Sequence, residues 1–166
     1  MNILVNQEQI RERVSQLAQQ ISTDYAGLTL DVICLINSAS MFSADLVREL
    51  SIPARLHFLG FNSYPNGNAS GEVRITHDVN EPLFERHVLV IEGIVVSGRT
   101  PRFVLDMLSL RKPASLALCA LGVKASQLAV DLPLKYTAFE LGAEIATGYG
   151  VGSGTEKVLM SLVEKK

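Results

Sequence analysis

The sequence has no tryptophan, only two cysteines, and few aromatic residues of any kind, with Phe, Trp and Tyr together at 6%. Cys34 and Cys119 each sit inside an apolar run. That excludes a disulfide-stapled scaffold and reads as two buried, reduced thiols, in keeping with a cytoplasmic location. No stretch approaches the ~18 consecutive apolar residues of a membrane-spanning helix. The opening "MNILVNQEQIRERV" has no basic segment leading into a long apolar one, so it does not read as a signal peptide. Charge of one sign is also missing. Fifteen Lys and Arg stand against seventeen Asp and Glu, for a net charge of −2. Such a balance gives no general attraction to nucleic acid or to an anionic membrane, so any anion must be held by a local site. There is no internal repeat, low-complexity tract or linker. His57, His77 and His87 are scattered among unrelated segments, and their spacing suggests no metal site.

What remains is 166 residues, 48% of them hydrophobic, enough to bury a core of their own. Ile10, Val14, Leu17 and Ile21 recur at helical spacing and predict a helix from Gln7 to about Tyr25, with Asn6 as N-cap and Gln9 at the capping-box return position. "DVICLI" (31–36) is a short β-branched run suited to a strand buried on both faces. After the polar "NSAS" comes a helix, "MFSADLVREL", burying Met41 or Phe42, Leu46 and Leu50. "ARLHFLGF" (54–61) predicts a strand, followed by "NSYPNGNASGE" (62–72), the most polar and Gly/Asn-rich segment of the chain. "VRIT" reads as a short returning strand. "HVLVIE" (87–92), "SLALCAL" (115–121) and "KYTAFEL" (135–141) supply further strands, with a helix over "TPRFVLDMLSL". Strands alternating with helices predict an α/β domain with a mainly parallel sheet.

In such sheets ligands bind where strands lead into helices. The stretch "VLVIEGIVVSGRT" has that form. Gly98 permits a tight turn and close backbone approach, Ser97 and Thr100 offer hydroxyls, and Arg99 offers a full charge. The following helix adds free N–H groups at its N-terminus. An ordinary strand-to-helix turn, with Thr100 as N-cap and Pro101 in the first helical position, is the competing reading. No lysine stands in P-loop spacing. The "GYGVGSGTE" segment (148–156) reads either as a flexible turn or as an anion-binding nest.

In this order the segments resemble type I phosphoribosyltransferases, and among them the hypoxanthine-guanine phosphoribosyltransferases. Ser97–Thr100 is similar to the loop that holds the ribose 5′-phosphate. "MFSADLVREL" resembles the family's Met-Phe-x-Ala-Asp-Leu helix, and Ser63-Tyr64 the opening of its mobile loop. Lys124 falls on the lysine that contacts the purine 6-oxo group, and "GYG" (148–150) on a Gly-Tyr pair near the base. The resemblance implies an α/β type I phosphoribosyltransferase fold: a mainly parallel central sheet flanked by helices, with a small hood region, as one domain over residues 1–166. It implies transfer of phosphoribosyl from phosphoribosyl pyrophosphate to a 6-oxopurine, assisted by Mg²⁺ and carboxylates.

The family pattern is broken at specific positions. Glu92 keeps the first acidic position, but the second is Gly93. The third, home of the general acid/base, is Val96, so no catalytic carboxylate is assigned. The carboxylate expected after "GYG" is Gly152. The pyrophosphate loop carries Asn37 and Ser38 where a cation and a glycine are usual, although both can still donate hydrogen bonds. The purine-stacking aromatic is Ile145. Lys124 and Tyr64 each have a plain alternative reading, as a solvated surface lysine and an exposed loop aromatic.

From the sequence, the favoured reading is a protein that binds a purine nucleoside monophosphate or phosphoribosyl pyrophosphate through residues 97–100, with catalysis weakened or lost and no metal ligands of its own. The alternative is an active purine-salvage enzyme using Mg²⁺. An oligomerisation scaffold is a third reading. The resemblance implies a homo-oligomer, dimer or tetramer, with a small-molecule ligand and no nucleic-acid or membrane partner.

Overall fold

The computed structural model describes residues 2–63 and 73–165. Helix α1 (Gln7–Asp24) starts where the sequence predicts. The Asn6 side chain accepts from the Gln9 N–H, and the Gln9 side chain accepts from the Asn6 N–H, both at 2.9 Å. This reciprocal capping satisfies two otherwise orphaned donors. Ile10, Val14, Leu17, Ala18 and Ile21 form its buried face.

The main sheet has six strands: β2 (Leu30–Ile36), β3 (Ala54–Ser63), β4 (Val73–His77), β5 (His87–Val95), β6 (Ser115–Val123) and β7 (Leu134–Glu140). Their order is β4-β3-β2-β5-β6-β7, and every pairing is parallel except β3 with β4. Both faces of the centre are covered, which is why the β2 and β5 sequences are continuously apolar rather than alternating. On one face Val32, Cys34, Leu89 and Ile91 pack against α1 and α2 (Ser40–Glu49). On the other, Ile33, Leu35, Val88 and Val90 pack against Val104, Leu105 and Leu108 of α3 (Arg99–Ser109). Each fully buried Leu, Ile or Val contributes about 1.5–3 kcal/mol. In α2 it is Phe42 that is buried, Met41 only partly, and the helix ends before Leu50.

A second, antiparallel sheet joins β1 (Ile3–Val5), β8 (Ala146–Thr147) and β9 (Leu162–Glu164) in the order β1-β9-β8, drawing together residues near both chain ends. This is the small hood region, and its three short strands carry no periodic signal in the sequence. Strand β5 also runs three residues past Glu92, because Ile94 and Val95 continue the pairing with β6.

The chain leaves β2 toward β3 on one side and leaves β5 toward β6 on the other. The sheet therefore has a topological switch point between β2 and β5. The crevice at the carboxyl ends of these two strands is where such folds receive ligands.

Candidate functional site at the carboxyl ends of the parallel strands

Gly98 turns the chain from β5 into α3. It is the helix N-cap and has φ 79°, in the left-handed region that favours glycine. A Cβ there would lie 2.7 Å from Leu132 Cδ1 and 3.2 Å from Val130 Cγ2. The helix begins at Arg99, so Thr100 is not the N-cap and Pro101 stands third rather than first. Pro101 remains within the first turn, where its missing N–H costs little. Among the described residues the N–H groups of Gly98 and Thr100 meet no acceptor, and that of Arg99 meets only Ser97 Oγ, at 3.4 Å. Arg99 is exposed and Ser97 half-buried. Free donors, a helix N-terminus and a cation thus converge on one turn, an arrangement suited to a phosphate.

Within β5, five residues before Ser97, lies Glu92, 6% exposed. Ser38 Oγ donates to its Oε1 at 2.7 Å, and the Gly93 N–H donates to the same oxygen at 2.8 Å. Burial outweighs these two hydrogen bonds and raises the Glu92 pKa above the usual carboxylate range. Both donors go to Oε1, so among the described residues Oε2 is left to accept from a ligand hydroxyl.

The loop after β2 does not present Ser38 as a free donor for pyrophosphate, as the sequence suggests; its hydroxyl is spent on Glu92. Asn37 is exposed, with its carbonyl accepting from Ser40 Oγ at 3.0 Å. Gly93 faces this loop at close range. A Cβ on Gly93 would stand 2.8 Å from both Ser38 Cβ and the Ser38 carbonyl oxygen. Val96, just after β5, is 42% exposed.

Lys124 is not a solvated surface lysine. It is 6% exposed, and its Nζ donates to the carbonyls of Glu144 at 2.7 Å and Ala143 at 3.3 Å. Its backbone N–H reaches Val95 O, which ties it to the end of β5. Ile145, adjoining those carbonyls, is 65% exposed. Ser63 closes β3, pairing with Val73. Tyr64 lies outside the described residues.

The "GYG" segment is not an anion nest. Gly148 and Val151 exchange backbone hydrogen bonds, and the N–H groups of Tyr149 and Gly150 donate to Leu159 O and Lys157 O. The donors of residues 148–151 are internally satisfied, so this part of the 148–156 segment offers no nest. Tyr149 is buried and donates to Asp45 Oδ2 at 2.5 Å. Burial, then that hydrogen bond, raises its pKa.

His57, which sequence spacing leaves isolated, joins Asp31 and Glu81, with ligand atoms all within 4.8 Å of one another. Asp31 is fully buried, and its oxygens accept from Arg55, His57 and Arg86. Two guanidiniums already neutralise the carboxylate, so the group is an ion-pair network rather than a cation site. It lies at the opposite end of the sheet from Gly98, since Asp31 pairs with Val88 at the start of β5.

Sequence reasoning missed the Ser38–Glu92 hydrogen bond and the Ser38–Gly93 contact. The signal was there, because positions 38 and 93 depart from the resembled pattern together.

Comparison with known proteins agrees with this geometry. A phosphoribosyl transferase domain family matches residues 2–153. A hypoxanthine phosphoribosyltransferase from Haemophilus influenzae is 34% identical over 155 residues, covering 91% of this chain and 87% of that protein. The crystal structure of a hypoxanthine-guanine phosphoribosyltransferase from Bacillus anthracis, with HEPES in its active site, has a TM-score of 0.95 at 30% identity, covering 100% of this chain and 99% of that one. A hypoxanthine phosphoribosyltransferase variant from Trypanosoma cruzi, in a ternary substrates complex, gives 0.94 at 30% identity, covering 100% and 95%.

Proposed function

This chain belongs to the phosphoribosyl transferase family, and from that premise we propose that it is a purine phosphoribosyltransferase, converting hypoxanthine or guanine and phosphoribosyl pyrophosphate to the nucleoside monophosphate and pyrophosphate. The observation that carries this reading is a phosphate-type turn held in place within a likeness to hypoxanthine phosphoribosyltransferases that covers nine-tenths of the chain. Ser97, Gly98, Arg99 and Thr100 receive the 5′-phosphate. Glu92 Oε2 accepts from a ribose hydroxyl. Lys124, already held between two carbonyls, donates to the purine 6-oxo oxygen, and Ile145 covers the face of the base. Asn37 faces the leaving pyrophosphate, and Ser63 and Tyr64 are assigned by resemblance to the family's active-site loop. The whole of residues 1–166 acts as one domain, in the cytoplasm, as a homo-oligomer.

Mg²⁺ is the metal this chemistry ordinarily uses, and it takes oxygen ligands at close to ideal octahedral geometry. The residues present do not fit it. Glu92 is the one carboxylate at the switch point among the described residues, it is buried, and Ser38 fills the space beside Gly93. No step is assigned to a protein-bound metal.

A second reading is ligand binding with the chemistry weakened or lost. It is favoured by Val96, which can neither give nor take a proton where general acid/base help is worth roughly 10²–10⁴ in rate. A turnover assay with hypoxanthine, guanine and phosphoribosyl pyrophosphate separates the two. Nucleotide formed at an ordinary enzymatic rate establishes the enzyme. No product, together with thermal stabilisation by inosine 5′-monophosphate, establishes the binding protein.

A further inference from the structure

Two positions that would carry carboxylates in the resembled pattern are glycines here, and neither is an open gap. At Gly93, a Cβ would meet Ser38 Cβ and the Ser38 carbonyl oxygen at 2.8 Å. At Gly152, a Cβ would meet Thr147 Oγ1 at 2.6 Å and Thr147 Cβ at 3.1 Å. Both occupants are fixed. Ser38 Oγ is bound to Glu92, and Thr147, 1% exposed, donates to Val151 O at 3.1 Å. Crowding below 3 Å against backbone or an anchored side chain forces displacement, and interiors are packed too closely to absorb it.

We infer that Ser38 and Thr147 close these two positions as matched partners of Gly93 and Gly152, and that the site takes a nucleoside 5′-monophosphate by hydrogen bonding and anion recognition, without a divalent cation. This rests on the proposed reading of residues 97–100 as a phosphoribosyl site. Ser38 is then a positioning residue. It keeps Glu92 Oε1 occupied and turns Oε2 toward the ligand, and it holds the loop over Gly93. A monophosphate places its charge on the 97–100 turn, where donors are free. A pyrophosphate would add charge near Asn37 and Ser38, where no cationic side chain stands in the loop.

The test has two arms on the full chain. The first reads packing and needs no ligand. Melting temperatures are compared for Gly93→Ala, Ser38→Gly and the double variant. Gly93→Ala should lower the melting temperature by at least about 4 °C in the parent. The same change should cost measurably less in the Ser38→Gly background, where the Ser38 Cβ contact is gone and the Ser38 carbonyl contact remains. An equal loss in both backgrounds overturns the matched pair. The second arm measures binding of inosine 5′-monophosphate and of phosphoribosyl pyrophosphate by calorimetry, in Mg²⁺ and in EDTA. Monophosphate affinity should agree within about threefold between the two conditions and exceed that for phosphoribosyl pyrophosphate. Affinity at least tenfold higher in Mg²⁺ overturns the metal-free site while leaving the phosphoribosyl reading intact. Absence of binding by either compound overturns both the reading and the ligand half of the inference, whatever the first arm shows.

Discussion

Glu92 holds a carboxyl in the interior with two donors on one oxygen. Its pKa is raised by burial, so between the ordinary carboxylate value and the raised one the folded protein binds more protons than the unfolded chain. Its contribution to stability is therefore fully present below the ordinary value and is lost as pH rises through the folded one. Glu92→Gln keeps the shape and removes the charge. Thermal denaturation across pH 4–8 should show the variant no less stable than the parent at neutral pH, with a weaker fall in stability as pH rises. A parent that instead gains stability with pH relative to the variant would mean that Glu92 is ionised and paired. Val96 poses a different problem. At 42% exposure it has room for a carboxylate in contact with water. Val96→Asp should raise the rate of nucleotide formation by ~10²-fold or more if proton handling is what the site lacks. An unchanged rate, measured by chromatography of the product, would place the deficit elsewhere. Among single residues the sequence already identified Glu92 and the 97–100 turn, because a carboxylate inside "VLVIEGIVV" and a glycine between hydroxyls stand out locally. Lys124 was ambiguous, since its burial depends on carbonyls twenty residues away.

At the scale of elements, α3 carries the binding claim. Its N-terminus, its left-handed Gly98 cap and its exposed Arg99 form one unit. Two variants separate geometry from charge. Gly98→Val places a side chain against Leu132 in a backbone conformation that valine resists, so it should abolish nucleotide binding and lower the melting temperature. Arg99→Ala should leave the melting temperature within about 1 °C and weaken nucleotide affinity by roughly tenfold, the loss of one charge-assisted contact. Equal affinity for the Arg99 variant and the parent would remove the arginine from the site. Elements with strong periodicity or caps were legible in sequence. Gln7, Asn6 and Gln9 mark the start of α1, and the apolar runs mark β2 and β5. Boundaries set by tertiary pairing were not legible. Strand β5 runs on to Val95 because β6 lies beside it, and α3 begins at Arg99 because Gly98 rather than Thr100 caps it.

For the whole molecule, the hood is the part that no local pattern foretold, since β1, β8 and β9 have two or three residues each and are joined only in space. Yet it supports the site. The Lys165 N–H donates to Ile145 O, the Glu164 N–H to Asn2 O, and Leu159 O receives the Tyr149 N–H. Leu162 is fully buried in the core that α1 and α2 also enter. The hood is thus fastened to the loop presenting Ile145 and to the turn behind Ser38, and its packing should be felt in ligand affinity as well as in stability. Leu162→Ala leaves a cavity at that junction and should cost about 2–5 kcal/mol. At this chain length that corresponds to a fall of roughly 4–20 °C in melting temperature. Inosine 5′-monophosphate should bind this variant more weakly, whereas the distant Leu108→Ala, which opens a comparable cavity beneath α3 on the other face, should lose stability with less effect on Ile145 and therefore on affinity. Calorimetry on both variants, held well below their melting temperatures, provides the comparison. If both lose affinity equally, the hood acts only through global stability, and the link from Lys165 to Ile145 carries no specific support to the base pocket.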